Sequence, residues 1–563
     1  MRTRPVTAAV GCVLLVAAGA GCGSSPPDER TGTLVYADGS PFPENLFPLI
    51  GAGNSIAVTN ILIRVLPAPF RSRPDYTIGL DDDLMASEPT VEETDTGQIV
   101  TYALNPEAVW SDGEPITVDD FEFTWRLQRS SDPSDGGCPA LLGTIGYDQI
   151  ESVRAGADES TVVVTFAGPF ADWKSLFTLF PAHVMDEGDD AANCTATTTG
   201  WPIAEGVPED ISGGPWQLKT ENIDVGEQTM TLTPNPQWYG DGPWLERLIH
   251  QAIDTAVPNV AVAALRSGEV HLISAKPQLD LAVALRQLAP GVTLDVTFGL
   301  SFLHLDLNTV NVHLAKPEVR RAFALSLDRA ELVAATAGQF DARAQVLNNR
   351  FYVNTQPEYQ DTAPAQYNAP DIAGAKDLLE SAGYVLGPDG VYAHPLDGPL
   401  RLTLSTLPNN PLFEQTIDLA SVQAAKAGFA ITKSLDPDIF GGPDRPTSLE
   451  SRGFDIALFT WTSSPYVSGL SALYRTGGAQ NYAGVSNAAV DGLLDQLSTE
   501  VDAEAAADLA NRADRLLWEE MVTIPLYQYP TVTAWNSDFE GIAPNATSAG
   551  PLWNSEEFRR GRG

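Results

Sequence analysis

Six histidines, His183, His250, His271, His304, His313 and His394, are the side chains best able to ligate a metal or shuttle a proton, and they are scattered along the chain. No two stand at the i, i+4 spacing that turns both rings toward one metal from a single helix face. The 563 residues hold no Gly-x-Ser-x-Gly elbow, no His-Glu-x-x-His motif and no phosphate-cradling P-loop. Carboxylates are abundant, so an exported hydrolase working through two distant acids is the enzymatic rival, and turnover by pure protein would decide for it. The reading preferred is a non-enzyme with no cofactor and no metal site. A formal charge of −40, from 33 Lys and Arg against 73 Asp and Glu, excludes nucleic acid and anionic surfaces as partners.

The cysteines carry the other chemistry. Arg2 and Arg4 precede an apolar run from Ala8 to Ala20, which at about a dozen residues is too short to cross a bilayer as a stable helix. The run ends in Gly19-Ala20-Gly21-Cys22, which resembles a bacterial lipobox with Gly19 where Leu or Val is usual. The expectation is a signal peptide over 1–21, lipidation at Cys22 and a flexible tether to residue 32. An ordinary signal peptide cut nearby is the alternative. Cys12 would leave with the leader, so Cys138 and Cys194 remain. With no His or Cys cluster around them, they are expected to form a disulfide contributing roughly 4 kcal/mol; a pair of buried free thiols is the alternative. No later stretch is long enough to cross a membrane, so the mature chain is expected outside the cell, held by lipid at the outer face of the cytoplasmic membrane.

These groups need a scaffold, and the elements alternate in type. Val100, Tyr102 and Leu104 read as a half-buried strand, as do Ser160 to Phe166 and the Met230/Leu232 pair ending at Pro234-Asn235-Pro236. Thr117 can cap a helix with Val118, Phe121 and Trp125 on one face. Val319, Ala322 and Phe323 mark a further helix, and Asp328 with Glu331 has capping-box spacing for the next, ending near Gly338. Ala375, Leu378, Leu379 and Ala382 share a helix face stopped by Gly383. Phe454 to Phe459 reads as a strand buried on both faces, Leu509 to Met521 as a late helix, and Pro525-Leu526-Tyr527-Gln528-Tyr529 as a final strand. The class is mixed α/β, and the length calls for two or three domains.

Several blocks in order carry a family resemblance: Trp110-Ser111-Asp112-Gly113-Glu114-Pro115 through Phe121, Gly213-Gly214-Pro215-Trp216, and Asn235-Pro236-Gln237-Trp238-Tyr239-Gly240. Leu265 to Val270, Val319 to Ala322, Leu327-Asp328-Arg329, Ala373 to Tyr384, Phe454 to Leu458 and Ile524 to Tyr527 continue the series. Together they resemble the extracellular solute-binding protein family 5, the dipeptide-, oligopeptide- and nickel-binding lipoproteins of ABC importers. The resemblance implies a periplasmic-binding-protein-like fold of two lobes (type II, the large class with an extra subdomain on lobe I) and hinge-connected mixed sheets. Lobe I is expected from 33–75, 205–276 and 529–563, the extra subdomain from 76–204 and lobe II from 277–528. Most signature residues are architectural: Trp110 and Asp112-Gly113 set a turn, Asp328 caps, Gly383 stops a helix and Asp491 belongs to a helix face or cap.

The implied function is capture of a small ligand between the lobes and delivery to a membrane ABC permease by a monomer. An envelope sensor with the same fold and an occluded cleft is the alternative. By the resemblance, ligand contacts are expected from Trp461, Thr462, Ser463, Ser464 and Tyr466 after the buried strand, from Asn481 and Tyr482 in the following loop, from Asn54 and Ser55 in an early loop, and from Tyr529. Trp461 has a core position as its plain alternative. Peptide-binding relatives carry an acid for the peptide amine where Ser464 stands here. A buried ammonium without a counter-charge costs several kcal/mol, so a neutral or polar ligand is expected: a blocked peptide, a glycoside or a hydroxylated metabolite. Scarce histidines argue against direct metal ligation, although a chelated metal needs few protein ligands.

Overall fold

Alternating apolar side chains build the strands, and two of these strands are long enough to belong to both halves of the molecule. A computed structural model describes residues 30–561 apart from Ser40, Asp95, Thr96, Thr144, Ala256, Ser463, Ser464, Val467 and Ser468. The leader, Cys12, Cys22 and most of the tether therefore lie outside the described residues, as do Ser463 and Ser464. Ten strands form one sheet in the order Ala430–Leu435, Arg401–Thr406, Ile456–Thr462, Val292–Leu307, Thr523–Asn536, Leu272–Ala275, Thr33–Asp38, Arg247–Ala252, Thr229–Pro234, Trp216–Asp224. Val292–Leu307 and Thr523–Asn536 run antiparallel through its middle. The far half of the latter, Val532 to Trp535, pairs with Leu272–Ala275. Ser301 to Leu307 pairs with Ile456–Thr462 on the other side. The register slips between Phe298 and Phe302, and Gly299 stands in the slip because a Cβ there would come 2.5 Å from the Ala546 carbonyl oxygen.

Two large cores flank this crossing. The first gathers Leu34, Phe47, Trp110, Phe121, Trp216 and Leu248. The same core takes in Tyr102, Val153 and Val164 from a separate four-stranded sheet, Met85–Thr94, Gly97–Leu104, Thr161–Phe166 and Ile150–Ala155. The second contains Leu303, Leu305, Phe323, Leu404, Ile417, Leu458 and Leu526. Along the crossing strand Leu303, Leu305 and Leu307 are fully buried on one face, each contributing about 1.5–3 kcal/mol of hydrophobic stabilisation.

Local signals behave as their chemistry predicts. Thr117 and Asp120 form a reciprocal capping box on helix Val118–Gln128. Asp328 accepts from the Glu331 backbone to start Arg329–Ala335, and Gly383 follows helix Ile372–Ser381 at φ +87°. The buried strand begins two residues later than the apolar run, at Ile456. The late helix Ala503–Glu520 buries Leu509, Ala513 and Leu517. Cys138 and Cys194 are joined in a disulfide that ties helix Asp190–Thr199 to the chain after Pro133–Asp135. Among the described residues no helix is long and apolar enough to cross a membrane.

Candidate ligand-binding site

The end of Ile456–Thr462 is where the predicted contacts begin, and strand alternation divides them. Phe302 stands opposite Trp461, and His304 opposite Phe459, so Phe302, His304, Phe459 and Trp461 share one face. Thr462 and its partner Ser301 project from the other face, where their hydroxyls lie 2.9 Å apart. Trp461 and Thr462 are neighbours in sequence, yet they do not line one wall.

Trp461 is the centre of an aromatic cluster. His304 lies near-parallel to it at 5.9 Å and 13°, and Tyr482 near-parallel at 5.8 Å and 18°. Phe459 meets it edge-on at 5.1 Å. Three rings of the protein thus crowd the indole, which remains half-buried. His304 is 2 % exposed and Asp306 likewise. Their Nε2 and Oδ1 atoms are 3.3 Å apart, and no hydrogen bond reaches either His304 nitrogen or Asp306 Oδ1. Sequence reasoning missed this pair. The signal was Leu303-His304-Leu305-Asp306-Leu307, where polar residues alternate with leucines in a buried strand.

Tyr466 reaches a turn that packs into the first core: its hydroxyl donates to the Lys174 carbonyl at 3.0 Å. Burial first, and the Asp172 charge second, push its phenol up. Asn481 is fully employed inside its own loop. Its amide donates to the Arg475 and Val485 carbonyls, and its Oδ1 accepts from the Gly484 and Val485 backbone. It shapes the loop that carries Tyr482. In the first lobe Ser55 caps helix Ile56–Leu62 by accepting from Val58 at 3.3 Å, and Asn54 is exposed. Tyr529 packs its ring 5.5 Å from Phe413 and accepts from Asn410 at 3.2 Å. The structure therefore gathers Trp461 and Tyr482, brings Tyr466 to the lobe junction, and leaves Thr462, Asn54, Ser55 and Tyr529 in other settings. A cavity of about 570 Å³ lined by Glu114, Asp119, Asp120, Arg126, His183 and Asp186 lies on the subdomain, with no lining residue from the second half of the chain. Among the described residues no three His, Cys, Asp or Glu side chains gather to hold a metal.

The fold and the crossing strands match known proteins. Residues 83–484 fit the family described as bacterial extracellular solute-binding proteins, family 5 middle. The chain belongs to that family. The oligopeptide-binding protein OppA of Mycobacterium tuberculosis is 28 % identical over 506 residues, covering 88 % of this chain and 80 % of the relative. The probable monoacyl phosphatidylinositol tetramannoside-binding protein LpqW of the same species is 25 % identical over 478 residues, covering 76 % and 70 %. Among solved structures, the periplasmic EDTA-binding protein EppA superposes with a TM-score of 0.83 at 26 % identity, over 96 % of this chain and 98 % of that one. The family is one of binding proteins that serve ABC importers, and the two-lobe fold expected from the sequence is the one observed.

Proposed function

We propose that this family 5 protein captures a small peptide-like or other polar solute between its lobes and hands it to a membrane permease. On this reading it works as a monomer, exported and anchored by lipid at Cys22. Relatives named for oligopeptide, acylated mannoside and EDTA binding support a cleft whose ligand changes while the frame persists. The observation that carries the reading is the pair of continuous strands joining the two halves, with the aromatic wall of Trp461 and Tyr482 at the end of the neighbouring strand. The lobe boundaries read from the sequence stand as part of the proposal, with bending centred on the slip at Phe298–Phe302. The lack of an acid in Phe459 to Ser468 favours a neutral ligand.

Native mass spectrometry of protein purified gently from its own host tests this. A bound neutral solute is expected; a co-purified peptide held by its free amine would sink the neutral assignment. One observation favours a second reading, an envelope interaction protein with an occluded cleft: His304, Phe459 and Tyr482 already pack around Trp461. Compaction in solution scattering when the co-purified solute is added back would speak against occlusion.

A further inference from the structure

The lobes hold each other through exchanged tyrosines. Tyr76 lies between the paired strands Phe70–Ser72 and Ile78–Leu80, whose Phe70, Ile78 and Leu80 pack into the first core. Its own ring leaves that core. It is 8 % exposed in a cluster with Leu300, Phe302, Leu347 and Val353, and its hydroxyl donates to the Phe298 carbonyl, at the register slip of the crossing strand. The backbone of Tyr76 has φ +69°. The hairpin itself sets that conformation: the Tyr76 N–H donates to the Arg73 carbonyl and the Arg73 N–H to the Thr77 carbonyl, so Tyr76 is the left-handed residue that closes a short hairpin loop and aims its ring outward.

Tyr466 makes the reverse crossing. Its hydroxyl bonds the Lys174 carbonyl in the short turn Trp173–Ser175. That turn is a firm docking point: Trp173 is buried against Phe70 at 5.4 Å, and the Lys174 ammonium sits over both rings at 5.0 and 5.3 Å.

We propose that Tyr76 and Tyr466 form a two-point clasp that holds the lobes together. This regulation rests on the reading of the cleft as a ligand trap. Opening loses these two hydrogen bonds and the burial of the Tyr76 ring, a small set of contacts, so a ligand's modest preference for one arrangement can shift the population.

Small-angle scattering of the ligand-free protein tests the clasp. Tyr466→Phe and Tyr76→Phe each remove one neutral hydrogen bond, so each is expected to raise the open-to-closed ratio about two- to tenfold, with a larger radius of gyration. Tyr76→Gly removes the wedge as well and is expected to open furthest. Circular dichroism checks that each variant is folded. Variant curves that superimpose on the wild type, or wild-type lobes found apart, overturn the clasp. Since no ligand is present, these outcomes are separate from failure of the trap itself, which would show as protein isolated without any bound solute.

Discussion

His304 and Asp306 are each buried without a hydrogen bond to the atoms that face one another, which makes them the sharpest question at the residue scale. A buried polar pair without hydrogen bonds repays its desolvation poorly, while removing one member strands the other. His304→Leu is therefore expected to destabilise the protein by about 3 kcal/mol, and His304→Leu with Asp306→Leu to match or exceed the wild type. Urea midpoints measure both. If the double variant is stable but isolates without solute, the pair serves recognition beneath Trp461. A double variant as weak as the single one would mean that the two residues do not act as a pair.

At the scale of elements, the long loop after Val346 is fixed to helix Ala503–Glu520 by a set of polar contacts with a buried ion pair at its centre. Arg350 and Asp514, 1 % and 0 % exposed, pair at 2.9 Å. Arg350 also donates to the Thr523 carbonyl and lies 4.4 Å over the Trp518 ring. Asp514 further accepts from the Arg350 backbone and from Thr362. The ion pair matters because this loop supplies Leu347 and Val353 to the cluster that receives Tyr76. Asp514→Ala leaves a buried guanidinium unpaired and is expected to cost about 3–5 kcal/mol. Chemical denaturation measures the loss, and hydrogen exchange should report faster opening across 346–362 than in the first lobe.

Across the whole molecule, buried carboxyl groups give stability a definite pH dependence. Burial first, and then the Asp81 charge, push half-buried Asp83 up to about 6. Burial does the same to Asp120, against the hydrogen bonds it accepts from Thr117, Ala182 and Trp110. Between pH about 4 and 6 the folded state keeps protons that the unfolded chain has released, so stability falls as pH rises through that window. Asp83→Asn is expected to flatten part of this slope, with a smaller difference between urea midpoints at pH 5 and pH 7 than in the wild type. An unchanged slope would show that Asp83 titrates normally.

The sequence by itself determined whatever short-range chemistry controls: the Thr117 capping box, the Asp328 cap, the Gly383 stop, the strand alternation and the Cys138–Cys194 disulfide. Ordered blocks then led to the family and the two-lobe frame. The same local view offered Trp461 and Thr462 together as ligand contacts, with a core position as the alternative for Trp461. Which face each residue takes, and that His304 reaches Trp461 from a strand about 160 residues earlier, depends on the Ser301–Thr462 register. The crossings that tie the lobes join residues 222 and 292 apart, Tyr76 to Phe298 and Tyr466 to Lys174. Only the tertiary structure decided these. No local preference of φ, ψ or side-chain spacing encodes a partner that folding alone brings near.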